Sequence, residues 1–419
     1  MDKANHKFRW VIFASVLVAY LFMSSQRTAP GLITDQLMRD FSVTASTIGL
    51  VTSIQFFVYT GLQIPMGLLA DRYGPILFLI IGTALTGLGT IIYGVTTHEY
   101  VLIFARILTG IGDATIWVNM ILVLSMWFNQ KEFTRLIGIA GMTGSLGFLL
   151  ATVPFSVLIV SLGWRGAFFT AGVVLCLCST WLYFIFVKKA NQPLFVKKEG
   201  PREKITVLLR RVCLNRQAWA LFLCHFGLVG GYIGFIGSWA VPYMIDVYGI
   251  SRLDASQLVL ISLLGALIGA PLIGWLASYL GAIKRTYVVF HLMVLLCWST
   301  FLFFPNHPPF YILIILFFMI GFGFGSNSLT FAIVRQTFPV TESGIVSGFA
   351  NTGGFLSAVL LPSIFGFILD YFQATSGQIV DGYYYGFFTP VIFAIFGLIG
   401  VLFVRVGGTG SLYQLSKRN

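Results

Sequence analysis

The chain has 419 residues, of which 57% are hydrophobic and only 10% are charged. A soluble domain carries charge on about a quarter of its residues, so this composition excludes an ordinary water-soluble protein. The net charge of +12 is spread over short breaks between apolar segments, which argues against a nucleic-acid-binding protein. We therefore expect an integral membrane protein with no nucleic-acid partner.

Twelve apolar segments are long enough to cross a bilayer as helices, which takes about 20 residues each. Spans 1 to 12 are predicted at residues 8–31, 44–70, 76–96, 99–128, 136–162, 166–187, 217–246, 255–282, 286–304, 309–334, 343–369 and 387–405. The segments are too long and too continuous for barrel strands, which alternate over about ten residues. The sequence thus predicts an all-α protein with twelve transmembrane helices.

The breaks between spans predict the orientation. Most of the 26 Lys and Arg residues lie in alternate breaks, which share one side of the membrane with both termini. The positive-inside rule assigns that side to the cytoplasm. We expect a monomer in the plasma membrane, which is the inner membrane in a bacterium, with the lipid bilayer as its surroundings.

Residues 188–216 divide the chain. They are rich in Lys and Arg and contain the helix breakers Pro193, Gly200 and Pro201, so they are interpreted as a cytoplasmic linker. Residues 1–187 would form an N-terminal six-helix bundle and residues 217–419 a C-terminal one. Short segments recur in both, such as GLLADRYG at 67–74 and GWLASYLG at 274–281, which is typical of transporters with internal repeats. Residues 202–212 could form an amphipathic helix on the inner leaflet.

The segment GLLADRYGP at 67–75 resembles the signature loop of the major facilitator superfamily, and RILTGIG at 106–112 resembles its second motif. The resemblance implies a secondary transporter with the major facilitator fold and no enzyme activity. In that family the loop gates the cytoplasmic side, with its aspartate against span 11. The gating residues here would be Gly67, Asp71, Arg72 and Gly74. The alternative is a tight turn without a gating role.

A narrower resemblance concerns Arg27, Arg106 and Asp113, which look like residues of the anion:cation symporters, close to the sugar-phosphate permeases. It implies that the span 1 arginine binds the substrate anion and that the span 4 acid carries a proton. Those relatives often have an acid just before the span 1 arginine, where this chain has Gln26.

The charged residues inside spans support a similar interpretation. Placing each of them in the membrane costs about 2.5–3.5 kcal/mol on insertion scales, so each is expected to have a functional or structural role that offsets this cost. Arg106 and Asp113 lie two turns apart on one face of span 4, and Arg27 falls in the same outer half. We expect Asp113 to be the proton site and Arg27 and Arg106 to form the anion site. The alternative is a structural Arg–Asp pair that holds helices together.

Other polar and aromatic residues of the spans are candidates for substrate contact, although hydrogen bonding between helices would explain each equally well. They are Tyr20, Gln55, Tyr59, Tyr232, Trp239, Asn327 and Asn351. His225 and His291 are interpreted as neutral packed histidines, with proton relay as the alternative.

Several functions stay open. The cargo could be an amino acid, a small peptide or a siderophore, or the chain could be a proton-driven drug exporter or a ligand sensor. Span 5 lacks the Gly-Pro pair of many exporters, which favours symport. No nucleotide-binding, HExxH or GxSxG motif is present. We therefore expect no enzyme activity, cofactor or metal, a small-molecule substrate, and a proton gradient as the energy source.

Overall fold

A computed structural model describes residues 3–27, 29–42, 45–151, 153–194, 205–305, 307–375 and 379–406. Predictions for residues 195–204 of the linker and for residues 407–419 lie outside the described residues. Every secondary-structure element within the described ranges is a helix. This result confirms the all-α prediction.

The first six spans are helices near their predicted positions. They are formed by Lys3–Ser25, Ala45–Tyr73, Pro75–Val95, Glu99–Trp127, Gln130–Leu150 and Val153–Tyr183. The last of these is interrupted at Gly163, where φ is 69° and ψ is 164°, a conformation that favours glycine. Residues 153–162 therefore belong to span 5, and span 6 begins after Gly163, as predicted.

The last six spans also follow the prediction, with several interrupted helices. Span 7 is Arg216–Val229, continued by a π-helix at Gly230–Ile236 and by Ala240–Tyr248. Spans 8 to 12 are Arg252–Leu280, Ile283–Thr300, Phe310–Phe324 continued to Leu329–Thr337, Ser343–Thr375, and Ile379–Gly386 with Phe388–Phe403. In the linker, a short helix at Ile205–Leu214 overlaps the predicted amphipathic segment.

These helices are suited to a membrane. Within the described residues, eleven helices are long and apolar enough to cross one. The 29-residue helix Ala45–Tyr73 lies at predicted span 2 and supplies the twelfth. The chain is therefore an integral membrane protein with twelve transmembrane helices.

The prediction for span 1 was wrong at its end. The helix stops at Ser25, and residues 29–33 form a separate 3-10 turn. Beyond Ser25, the main-chain N–H groups of Gln26 and Arg27 donate to the oxygens of Met23 and Ser24, three residues back instead of four, as in a tightened turn that ends an α-helix. Arg27 therefore lies in the turn after the helix instead of inside the helix of span 1.

By their contacts, the residues form two compact units. The first contains residues 1–129, 143–203 and 340–348, and the second contains residues 130–142, 204–339 and 349–419. In the first unit, span 4 packs against spans 2 and 3, and span 3 against span 6. In the second, span 7 packs against span 12 and span 8 against span 10. The division into 1–187, 188–216 and 217–419 stays a prediction.

Candidate functional site

A buried ion pair lies at the centre of the first unit. Arg27 Nε donates to Asp113 Oδ2 at 2.8 Å, and Arg27 NH2 donates to Oδ1 at 3.0 Å. The two side chains are 6% and 2% exposed. A bidentate guanidinium–carboxylate pair is among the strongest polar contacts in proteins. Removing one partner would leave an uncompensated buried charge, so any event at this pair must keep its charges matched.

Three predicted site residues surround the pair. Gln55 of span 2 donates through Nε2 to Asp113 Oδ2 at 3.4 Å. The Arg27 guanidinium lies 4.8 Å from the centre of the Tyr59 ring, within range of a cation–π contact. Tyr20 is buried, and its ring lies 5.4 Å from that of Trp117, one turn beyond Asp113. Spans 1, 2 and 4 thus converge on one polar cluster.

Arg106 occupies a separate position in the same unit. Its NH1 donates to the main-chain oxygen of Gln26 at 3.4 Å, and its guanidinium lies 5.4 Å from the Tyr93 ring centre. The side chain is 1% exposed, and its Nε and NH2 atoms have no hydrogen-bond partner. No carboxylate forms a salt bridge with Arg106 among the described residues. A buried guanidinium in this situation is suited to accept an anion.

The structure therefore resolves a point that the sequence left open. The sequence placed Arg106 and Asp113 on one face of span 4 and did not say which arginine would pair with Asp113, and in the structure Arg27 makes the contact. Two helical turns separate Arg106 from Asp113 by about 10 Å along the axis. The turn at residues 26–27 brings Arg27 to Asp113 from the side. The contact of Arg106 with Tyr93 was not predicted.

The other four predicted substrate residues belong to the second unit and engage their own neighbours. Tyr232 stacks on Phe324 at 4.1 Å and 17°. Trp239 Nε1 donates to the main-chain oxygen of Pro362 at 3.1 Å. Asn327 is half-buried. Asn351 Oδ1 lies 3.2 Å from His225 Nε2. The roles of these four residues in substrate contact stay predictions.

The gating motif has a well-defined geometry within the first unit. Asp71 accepts hydrogen bonds from the main-chain N–H groups of Gly344 at 2.9 Å and Ile345 at 2.8 Å. These residues begin span 11, where a helix exposes unpaired N–H groups and the positive end of its dipole. Gly67 packs directly on Gly344. Gly74 has φ 90° and allows the turn into span 3.

Two remaining features complete the motif. The Arg72 guanidinium lies over the Tyr73 ring at 5.5 Å. In the second unit, Ser278 replaces the aspartate, and its hydroxyl donates to the main-chain oxygen of Lys131 at 3.2 Å. Arg135 donates to the same hydroxyl at 3.2 Å. The serine thus meets the first turns of span 5 with neutral hydrogen-bonding capacity, whereas Asp71 presents a carboxylate to the start of span 11.

Comparison with known proteins agrees with this architecture. The sequence profile of the Major Facilitator Superfamily matches residues 12–362 and 238–414. A D-galactonate transporter of Escherichia coli is 24% identical over 388 residues, with 85% of this chain and 87% of that protein covered. A hexuronate transporter of Bacillus subtilis is 23% identical over 390 residues, with coverages of 87% and 88%. The crystal structure of FucP in the outward conformation superposes with a TM-score of 0.76 at 14% identity, covering 95% of this chain and 99% of that one.

The chain belongs to the Major Facilitator Superfamily. The resemblance of its two sequence motifs to that family is confirmed, as is the twelve-helix major facilitator fold. The protein is a membrane transporter that acts on small molecules and is not an enzyme.

Proposed function

We propose that this protein is a secondary active transporter that carries a small organic anion together with a proton by alternating access. The observation that carries the proposal is the buried bidentate pair of Arg27 and Asp113. Asp113 is the proton site, and Arg27 with Arg106 is the anion site. The names of the relatives support an anionic cargo, because galactonate and hexuronate are sugar acids.

The coupling follows from competition for Arg27. A substrate carboxylate that forms the same bidentate contact displaces Asp113 from the guanidinium. Asp113 would then be a buried carboxylate without a cation, which is strongly unfavourable. Taking up a proton removes that charge. Anion and proton therefore enter together, and the net charge of the buried site is the same before and after binding.

Arg106 assists by attracting the anion. Two of its guanidinium nitrogens have no partner, and no carboxylate neutralises it among the described residues. Its positive charge favours a carboxylate close to the end of span 1, where its NH1 contacts Gln26. Gln55 and Tyr59 hold Asp113 and Arg27 in place for the exchange.

The test uses purified protein in proteoliposomes, after a thermal-shift screen of sugar acids and other organic anions at two pH values. Asp113→Asn should abolish accumulation driven by a pH gradient and spare exchange of labelled substrate. Asp40→Asn, at an exposed carboxylate, is the control and should leave both activities intact. Driven accumulation in Asp113→Asn would refute the proton site.

The same assay separates the rival functions. Exchange of labelled amino acids, peptides or siderophores without exchange of organic anions would show that the substrate belongs to one of those classes. Outward movement of a drug would indicate an exporter. A ligand sensor would bind without any exchange. A proton gradient alone should drive uptake, without a cofactor.

The gate and the orientation are part of the proposal. The contact of Asp71 with Gly344 and Ile345 would hold span 2 against span 11 on the cytoplasmic side. The clustering of Lys and Arg in alternate breaks supports cytoplasmic termini. Labelling of Cys213, an exposed cysteine of the linker helix, with a membrane-impermeant thiol reagent tests the orientation. Labelling should occur only after the cytoplasmic side is opened to the reagent.

A further inference from the structure

Two buried histidines lie together in the second unit, separate from the Arg27–Asp113 pair of the first unit. His225 is on span 7 and His291 is on span 9, and they are 3% and 1% exposed. Both of their rings are held by hydrogen-bonding partners at each nitrogen. The partners of the two rings differ in chemistry, and this difference determines where a proton is held.

The partners of His225 suit a neutral ring. Nε2 lies 3.2 Å from Asn351 Oδ1, which accepts an N–H. Nδ1 lies 3.4 Å from the hydroxyl of Thr330, which can donate. That hydroxyl is in turn 2.7 Å from the Tyr287 hydroxyl, which can donate to it. When the His225 ring carries one proton, each of these contacts pairs a hydrogen-bond donor with an acceptor.

The partners of His291 do not suit a neutral ring. Nδ1 lies 3.0 Å from the main-chain oxygen of Tyr287, and Nε2 lies 3.2 Å from that of Cys224. Carbonyl oxygens only accept hydrogen bonds, and a neutral imidazole has a single N–H. In either neutral tautomer, a nitrogen lone pair would face a carbonyl oxygen at hydrogen-bonding distance. The imidazolium donates to both oxygens.

We propose that His291 binds a proton in this conformation and, as an imidazolium, joins span 9 to span 7. The Tyr287 oxygen belongs to its own helix, whereas the Cys224 oxygen belongs to span 7. Movement of span 7 against span 9 removes one acceptor and releases the proton. This would be a second protonation site, separate from Asp113, and it goes beyond the proposed function because it depends on neither the cargo nor the Arg27 pair.

The surroundings of His291 leave the imidazolium dependent on these two carbonyls. The titratable residues that face it are His225 on span 7 and Tyr287 on its own span 9, whose ring centre lies 4.3 Å from that of His291. On span 12, Gly397 packs against the His291 ring. No carboxylate pairs with His291 among the described residues. Burial opposes the cation, and two charge-assisted hydrogen bonds oppose that cost, so the loss of one favours release.

The test measures protonation directly by NMR on the full-length protein with nitrogen-15 in its five histidines. An unperturbed histidine has a pKa of about 6.5, so about one pH unit above that value its ring is about 90% neutral. We expect one ring to remain an imidazolium there, with both nitrogens protonated. That signal should disappear in His291→Gln and persist in the matched variant His225→Gln.

If His291→Gln does not fold, a chain in which the other four histidines are replaced by glutamine shows a single ring, which must be the imidazolium. A neutral tautomer for His291 over the range from about pH 5 to 8 would overturn the proposal. So would an imidazolium signal that disappears in His225→Gln.

Discussion

The packing of span 2 on span 11 predicts a specific effect of replacing Gly67 by alanine. A Cβ at Gly67 would clash with the carbonyl oxygen of Gly344 and would lie 2.7 Å from its carbonyl carbon and 2.9 Å from Ile345 Cα. These atoms are backbone and cannot rotate away. The first turn of span 11 must shift, and the hydrogen bonds from Gly344 and Ile345 to Asp71 must break.

The size of the effect follows from those bonds. Hydrogen bonds to a charged group contribute about 1.5–3 kcal/mol each, so the loss of both amounts to about 3–6 kcal/mol. Each 1.4 kcal/mol is a factor of about ten in an equilibrium constant. The opening of this turn should therefore become at least about a hundred times more favourable in Gly67→Ala.

Amide hydrogen exchange followed by mass spectrometry measures that opening. The peptide containing Gly344 and Ile345 should exchange faster in Gly67→Ala than in the unmodified protein. Gly61→Ala is the matched control, because it lies on the same helix and a Cβ there meets nothing within 4 Å. Unchanged exchange in Gly67→Ala, or equal acceleration in Gly61→Ala, would refute the reasoning.

Two further predictions concern stability. The Trp164 indole N–H and then Arg165 lower the pKa of Asp40 in the folded protein. The stability that ionised Asp40 contributes is therefore present at pH values above the pKa of an ordinary aspartate, and it is lost as the pH falls through the lower pKa of the folded state. Asp40→Asn should melt at a lower temperature than the unmodified protein in neutral buffer, and the difference should vanish in acid. Gly112→Ala would place a Cβ 2.7 Å from the main-chain nitrogen of Thr86 and should lower the melting temperature by about 1–3 °C, as expected for about 1–3 kcal/mol of overpacking in a chain of this length. Gly237→Ala meets nothing within 4 Å and should leave the melting temperature unchanged; equal effects of the two glycine variants would contradict the packing argument.

Sequence was sufficient for the fold because the bilayer imposes a strong constraint. A helix must present about 20 apolar residues to cross it, so the spans are visible as uninterrupted segments. The break between spans 5 and 6 was also predicted, at residues 163–165, and in the structure Gly163 interrupts the helix there with a positive φ. The end of span 1 was missed because hydropathy does not report where a helix stops.

The candidate site was only partly predictable, because the sequence indicates which residues share a helix face but does not indicate which helices meet there. Residues that share a helix face are set by its period, so the relation of Arg106 to Asp113 could be read directly. Contacts between helices depend on their relative rotation and on turns, which a single sequence does not encode locally. The carbonyl acceptors around His291 illustrate this limit, since one of them is the main-chain oxygen of Cys224. Every residue has a main-chain oxygen, so the residue types in the sequence do not indicate which of these oxygens accepts a hydrogen bond from another span.

The identity of the partner of Asp113 can be tested by double-mutant cycles on thermal stability. Arg27→Gln and Asp113→Asn each break the pair and should each cost about 3–5 kcal/mol, whereas the double variant leaves no unmatched charge. The two costs should therefore fall short of adding by up to about 3 kcal/mol. Arg106→Gln and Asp113→Asn share no hydrogen bond, so their costs should add to within about 0.5 kcal/mol. A larger coupling for Arg106 than for Arg27 would mean that span 4 supplies both members of the ion pair, and the competition mechanism for proton coupling at Arg27 would then be wrong.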